Sequence, residues 1–274
     1  IAARAGIMSA SDKSKLDGIE SGGGASSISD LTDVSLTSLA TGNGLVYESG
    51  TGTTKSLSHF NSSLSDEVGS ASWSIMSGLD APSYAAGKFG NAVVFNGNSG
   101  IYHSSIEHLY NLSTFTMEAW FYPTGFSYDG HILGIYEEIS ATLLSSGKLG
   151  IWVHNGSSEV QVGSTGTTTL SADTWYHIRL VRNGSDFYLY LNGVLECSGA
   201  SSVRSTAPKK DRKLTIGSLG VGVEGYNHYA GRVDEFRLLD EALIGNFTPS
   251  EEPYTVPSGV WKNQMIIAAP SSPA

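Results

Sequence analysis

The sequence has little cysteine, few charges and no long apolar run. Cys197 is the single cysteine among 274 residues, so an intramolecular disulfide is impossible and a cysteine-based zinc site is not expected. No apolar stretch approaches the roughly 18 residues that a membrane-spanning helix needs, so no membrane span is predicted. These absences exclude a disulfide framework within this sequence and predict that it contains no transmembrane helix.

Charged residues make up only 15% of the chain, and their balance is acidic. Lysine and arginine total 16 and aspartate and glutamate total 26, which gives a net charge of −10 and a pI of about 5.1. A chain of this charge repels phosphate backbones, so nucleic acid is not an expected partner. The 33 glycines and the low charge favour a β-protein with many tight turns.

Residues 1–55 contain no tryptophan or phenylalanine, and Tyr47 is their only tyrosine. Residues 8–18 predict one short helix, and the glycine- and serine-rich residues 21–27 predict a flexible linker. The segment has too few large apolar residues for a core of its own, so we expect it to lie against another domain or against copies of itself. Because the chain begins at Ile1 without an initiator methionine or a signal peptide, we interpret it as a fragment or processed product.

From about residue 56 onward the pattern predicts strand after strand. Asn192-Gly193 between two β-rich runs predicts a hairpin with a type I′ turn. One long strand alternates strictly, and its apolar face is formed by Phe115, Met117, Ala119 and Phe121. Further strands are predicted at residues 92–95, 131–136, 148–154, 175–182, 213–218 and 232–239. This spacing of short strands predicts an all-β fold, an antiparallel β-sandwich or jelly roll.

Six motifs follow one another along this part of the chain. They are KFGNA at 88–92, FTMEAW at 115–120, TWYHI at 174–178, YLNG at 190–193, LTIG at 214–217 and GRVDEFR at 231–237. In this order they resemble the laminin-G-like (concanavalin A-like) jelly-roll family. The resemblance implies a jelly roll over residues 56–250, and the proline- and serine-rich residues 251–274 are expected to form an extended tail.

The first segment resembles collar or shaft segments of bacteriophage tail fibres. The motifs that carry this resemblance are GIMSASDKSKLDGI at 6–19, LTDV at 31–34 and ATGNGL at 40–45. The resemblance implies that residues 1–55 are an oligomerising, mostly irregular collar or shaft segment with one short helix. It also implies a homotrimer in the virion that contacts other virion proteins, since three copies can supply the core that one copy lacks.

Patterns for catalysis or nucleotide binding are incomplete. Residues 49–56 lack the Gly-Lys pair and the following helix of a phosphate loop, and the seven histidines have no helical zinc spacing. On a regular strand Asp234 and Glu235 point to opposite faces, so neither gains the second carboxylate that a glycanase needs. We therefore predict that the chain is not an enzyme, and a glycan depolymerase is the least favoured alternative.

Asp234 is the candidate calcium ligand in this sequence. Regular alternation places it on the same face as Phe236 and Leu238, and a carboxylate that faces a core must be paired, hydrogen-bonded or bound to metal. Two interpretations follow. Asp234 is a calcium ligand, since laminin-G-like folds often carry calcium, or it accepts hydrogen bonds from turn amides or a tryptophan N–H.

Two loops rich in aromatic and turn-forming residues indicate a sugar-binding surface. Aromatic rings stack on the C–H faces of sugars, and exposed polar loop residues are typical of recognition surfaces. The candidate ligand contacts are Tyr128 and Asp129 in one loop, and Tyr226, Asn227, His228 and Tyr229 in the other. In the alternative interpretation these tyrosines pack between protomers or under loops.

These observations together predict a virion fibre or spike protein whose jelly-roll head adheres to host cell-surface glycan. The competing hypothesis is a purely structural decoration or spacer that contacts neighbouring virion proteins.

Overall fold

The computed structural model describes residues 43–48, 54–68, 72–103, 113–136, 138–202, 213–220, 227–256 and 260–265. The chain divides into two units, one of residues 53–256 and the other of residues 1–52 with 257–274. The helix predicted at residues 8–18 lies outside the described residues. The predicted domain boundaries after residues 55 and 250 stay predictions.

The described residues form strands, turns and loops, with no helix among them. The strands are β1 (Asn43–Glu48), β2 (Thr54–Ser58), β3 (Trp73–Ile75), β4 (Ser83–Ala86), β5 (Asn91–Asn96), β6 (Ile101–His103), β7 (Thr114–Pro123), β8 (Gly130–Ile135), β9 (Ile139–Leu143), β10 (Leu149–His154), β11 (Glu159–Val162), β12 (Tyr176–Asn183), β13 (Asp186–Leu191), β14 (Val194–Ala200), β15 (Leu214–Ile216), β16 (Ala230–Leu239) and β17 (Val260–Met265). Accordingly, no helix in the described ranges could cross a membrane.

Strands β2 to β16 form two antiparallel sheets. The seven-stranded sheet has the order β11-β10-β9-β8-β15-β6-β3, and the eight-stranded sheet has the order β14-β13-β12-β7-β16-β5-β4 with β2 also paired to β16. The predicted all-β, antiparallel jelly-roll sandwich is confirmed. In the other unit, β1 and β17 pair antiparallel, with Tyr47 opposite Trp261.

The hydrophobic core lies between the two sheets and follows from strand alternation. On β7 the predicted apolar face, Phe115, Met117, Ala119 and Phe121, is buried in the core. Ile178 and Leu180 of β12 contribute from the neighbouring strand. The residues between them, including Glu118 and Arg179, therefore point to the outer face of the eight-stranded sheet, which is its face away from the core.

Strand β16 is divided by a bulge. Its first half pairs with β5 and its second half with β2, and its pairing with β7 shifts between Asp234 and Arg237. Glu235 has φ 52°, a left-handed conformation that is uncommon for residues other than glycine. Because the bulge inserts an extra residue, both Val233 and Phe236 face the core, and regular alternation fails between them.

After β16 the chain crosses the outer face of the eight-stranded sheet as an extended strap (residues 240–256). Leu243 N donates to Thr116 Oγ1 at 3.0 Å, and Phe247 N donates to the carbonyl oxygen of Gly193 at 2.9 Å. Farther along, Tyr254 N donates to Glu235 Oε2 at 2.8 Å. The strap is therefore fastened to β7, to the β13–β14 turn and to the β16 bulge.

Candidate functional site

Two chain segments from the predicted sugar-binding surface meet at one end of the sandwich. The β7–β8 loop holds Tyr128 and Asp129, and the segment before β16 holds Asn227. His131 N donates to the carbonyl oxygen of Asn227 at 2.7 Å, and this hydrogen bond joins the two segments. Thr124 N donates to the carbonyl oxygen of Ala230 at 3.1 Å and joins them a second time.

Tyr128 is the most exposed large aromatic side chain on this surface, with 80% of it accessible to solvent. Beside it, Asp129 Oδ1 accepts a hydrogen bond from Ser145 N at 2.7 Å, which fixes its loop to the β9–β10 turn. Asn227 is exposed and has φ 54°, a left-handed conformation that asparagine adopts more readily than most residues. His228 is half-buried, and Tyr226 lies outside the described residues.

Tyr229 requires a correction, because it is not a surface contact. Its side chain is 1% exposed, and its ring packs 6.4 Å from that of Phe95 in the core. Tyr229 N donates to the carbonyl oxygen of Gly217 at 2.8 Å, and burial raises the pKa of the phenol well above its usual value. Strand alternation indicates this burial, because Tyr229 lies four residues before Val233 and therefore on the same side of the strand, and Val233 faces the core.

Asp234 is buried, but it does not share the face of Phe236 and Leu238 as the alternation predicted. The bulge at Glu235 turns it to the outer face, opposite Trp120 of β7. Its two carboxylate oxygens accept backbone hydrogen bonds at 2.9 Å, from Phe89 N and Glu235 N. Burial nevertheless raises the pKa of Asp234 to about 7.

The hydrogen bonds of Asp234 are those that the amide-bonding interpretation expects, and the calcium interpretation stays a prediction. Both of its oxygens already have amide partners. Among the described residues, no group of three or more histidine, cysteine or acidic side chains could hold a metal ion. Calcium also takes backbone carbonyls and waters as ligands, so a site at Asp234 would have to draw most of its oxygen ligands from these groups.

A pocket of about 390 Å³, which no sequence pattern indicated, lies between the strap and the outer sheet face. Its floor is a cross-strand row of charged residues, in which the register pairs Glu118 of β7 with Arg179 of β12 and with Arg237 of β16. Both arginines donate through Nε to Glu118, one to each carboxylate oxygen. The strap residues Phe247 and Tyr254 form part of the wall.

The electrostatics of this row favour an ionised carboxylate. Burial alone would raise the pKa of Glu118, but the positive charges of Arg237 and Arg179 outweigh that effect and lower it. Each guanidinium also lies over an aromatic ring, Arg179 over Phe247 at 3.2 Å and Arg237 over Tyr254 at 4.0 Å. Stacking and ion pairing together hold both guanidinium planes in fixed orientations.

A second row lies next to the charged one. His177 pairs with Trp120, and their rings contact edge to face at 5.3 Å. His177 Nε2 shares a hydrogen bond of 2.7 Å with Tyr254 Oη of the strap. Because the imidazole is buried, its pKa falls to about 4, so it is neutral at ordinary pH.

Sequence comparison identifies the family. Residues 95–246 match the model of the concanavalin A-like lectin/glucanases superfamily. The chain belongs to this superfamily. No curated protein sequence matches this lectin-like chain significantly.

Solved structures share the lectin-like fold. Domain 4 of AbnA, a GH43 extracellular arabinanase from Geobacillus stearothermophilus solved in complex with arabinotriose, has a TM-score of 0.54 at 20% identity, covering 70% of this chain and 94% of that one. The binding domain of botulinum neurotoxin serotype C1 has a TM-score of 0.55 at 14% identity, covering 71% and 50%. The binding domain of botulinum neurotoxin DC, in complex with rat synaptotagmin II, has 0.53 at 13%, covering 71% and 49%. The match thus spans about half of each toxin domain.

Proposed function

We propose that this chain is a non-enzymatic adhesion module whose lectin-like sandwich binds glycan through the loops around Tyr128. The observation that carries the proposal is the 80% exposure of Tyr128 on a loop that is otherwise held in place by hydrogen bonds. A sugar ring can stack on the exposed phenol while Asp129 and Asn227 bond its hydroxyl groups. A domain with the same fold, from the arabinanase, was solved with arabinotriose, and this supports a carbohydrate ligand.

The proposal extends to a role in a virion fibre or spike. Its support is the resemblance of residues 1–55 to collar and shaft segments of bacteriophage tail fibres. In this proposal three copies join through that segment, contact other virion proteins and present three lectin-like heads to a host surface. Shallow sites bind single sugars weakly, but several linked sites gain strength through effective concentration.

The adhesion proposal is tested by applying the full 274-residue chain to a polysaccharide array and to candidate host cells. For any glycan bound, Tyr128→Ala should weaken binding at least about tenfold, because the stacking surface is lost. Tyr84→Ala is the matched control, since Tyr84 lies on the edge strand β4 and is 37% exposed. Equal effects of the two variants, or no binding to any glycan or cell, would contradict the proposal, and the second result would favour a structural decoration.

The trimer is tested separately by sedimentation of the intact chain at micromolar concentration. We expect a single species of three times the 28.9 kDa chain mass. A clean monomer would count against the fibre proposal, but it would not contradict the proposed glycan site.

A further inference from the structure

The floor of the pocket beneath the strap is a row of charged residues, Arg179, Glu118 and Arg237. Glu118 is the only carboxylate in the cross-strand row, and both of its oxygens are engaged by Nε of Arg179 and of Arg237. Two guanidinium groups therefore share one carboxylate, and the row keeps one net positive charge. Glu118 is fully buried, so the fold fixes the position of this carboxylate between the two guanidinium groups.

Arg237 has hydrogen-bond donors that Glu118 does not use. Its side chain is 26% exposed where the pocket opens, and only its Nε is used by Glu118. Within the described ranges its terminal nitrogens have no hydrogen-bond partner. The ring of Tyr254 beneath it keeps the guanidinium plane from rotating, so these donors are arranged before any ligand arrives.

The remaining lining is suited to a sugar. Thr248 and Thr255 of the strap line the pocket with residues that carry hydroxyl groups, whereas the hydroxyl of Ser250 is bonded to the backbone of Glu252. A volume of about 390 Å³ lies in the range of small-ligand sites. Glu252 also lines the pocket, and its negative charge offsets the net positive charge of the row. Because Glu252 is exposed, solvent weakens its repulsion of an anion, and a monoanion is repelled less than a dianion.

We propose that this pocket binds the carboxylate group of an acidic sugar residue, such as a glycuronic acid. The planar carboxylate accepts hydrogen bonds from the terminal nitrogens of Arg237, and the strap hydroxyls bond the sugar hydroxyls. The inference rests on the proposed glycan-binding function and adds a second contact. This contact lies toward the opposite end of β16 from the surface of Tyr128 and Asn227.

The test is a calorimetric or NMR titration of the full chain with D-glucuronate, and with D-glucose as the neutral sugar of the same size. We expect glucuronate to bind with a dissociation constant in the millimolar range and glucose to bind at least about tenfold more weakly. Added salt should weaken glucuronate binding, because the attraction is electrostatic and part of the site is exposed. Equal binding of the two sugars, or no binding of glucuronate, would overturn the inference.

Three single-residue variants test whether glucuronate binds in the pocket beneath the strap. Arg237→Gln should reduce glucuronate affinity at least about tenfold, whereas Arg232→Gln makes the same charge change on the same strand outside the pocket and should leave it nearly unchanged. Glu252→Gln removes the opposing charge from an exposed residue and should raise affinity severalfold, which keeps the test valid even if Arg237→Gln does not fold. Equal losses in the two arginine variants, or no gain in Glu252→Gln, would contradict the inference.

Tyr128→Ala separates this inference from the adhesion proposal. It should leave glucuronate binding intact while weakening the glycan binding seen on the array. If glucuronate binding fails but the array signal still depends on Tyr128, the adhesion proposal stands and the pocket does not bind acidic sugars.

Discussion

At the scale of single residues, the turn between β13 and β14 combines two constraints. Asn192 and Gly193 have φ values of 48° and 83°, which are the left-handed conformations of the predicted type I′ turn. A Cβ atom on Gly193 would also lie 1.8 Å from the carbonyl oxygen of Phe247, so the strap leaves no room for a side chain. This glycine therefore serves both the hairpin and the attachment of the strap.

Gly193→Ala should lower the free energy of unfolding by about 2–3 kcal/mol, because it adds backbone strain and breaks the hydrogen bond to Phe247 N. Gly184→Ala is the matched control, since Gly184 has φ 66° with nothing within 4 Å of the added Cβ. Gly184→Ala should lower the free energy of unfolding only through the backbone strain, by about 1 kcal/mol. Urea unfolding of both variants measures the difference, and equal losses would show that the strap does not press on the turn.

At the scale of secondary-structure elements, the strap is the part that converts a sheet face into a pocket. Phe247 is its main anchor, since its ring contacts the guanidinium of Arg179 at 3.2 Å and the ring of His177 at 5.5 Å. Tyr190 contacts the same ring at 6.1 Å. The outer face of the eight-stranded sheet is covered where these contacts hold the strap down.

Phe247→Ala should therefore destabilise the protein by about 2–3 kcal/mol and loosen the strap, because it removes the ring on which Arg179 stacks. Hydrogen exchange of the amides of residues 243–254 should accelerate, while the core strand β7 stays protected. Val256→Ala is the control within the same strap, because Val256 is 46% exposed and its truncation should cost less than about 0.5 kcal/mol. Unchanged exchange in Phe247→Ala would mean that the backbone hydrogen bonds alone hold the strap.

At the scale of the whole molecule, buried ionisable groups determine how stability depends on pH. Burial lowers the pKa of both His131 and His177 from 6.5 to about 4, so their contribution is present above pH 6.5 and is lost as pH falls towards 4. Asp234 acts in the opposite direction. With its pKa raised from 3.8 to about 7, its contribution is present at low pH and is lost as pH rises through 7.

Between about pH 6 and 5, each of the three groups should change the free energy of unfolding by about 1.4 kcal/mol per pH unit. On acidification the two histidines lower the free energy of unfolding and the aspartate raises it. The net change is therefore a loss of about 1.4 kcal/mol per pH unit. His177→Gln should nearly abolish the slope, and Asp234→Asn should roughly double it. Urea unfolding of the three proteins at several pH values measures the slopes, and equal slopes would refute this assignment of the titrating groups.

The sequence by itself determined the strands that alternate and the hairpin that carries a turn signal. Phe115 to Phe121 alternate because one side of β7 packs on the core, and Asn192-Gly193 folds as predicted because turn geometry is a local property. Several short strands were not predicted. In β9, Ile139, Ala141 and Leu143 alternate with Ser140 and Thr142, but the run is only five residues long. Runs this short are ambiguous between strand and other structure.

Only the tertiary structure decided which residues face one another. The row of Arg179, Glu118 and Arg237 depends on the register of three strands, and residue 118 is separated from residue 237 by more than a hundred positions along the chain. The bulge at Glu235 turned Asp234 to the outer face, and the core enclosed the ring of Tyr229. Spacing along a sequence reports which side of a regular strand a residue occupies. Register and bulges arise from packing between distant segments, and they determined where the charged pocket formed.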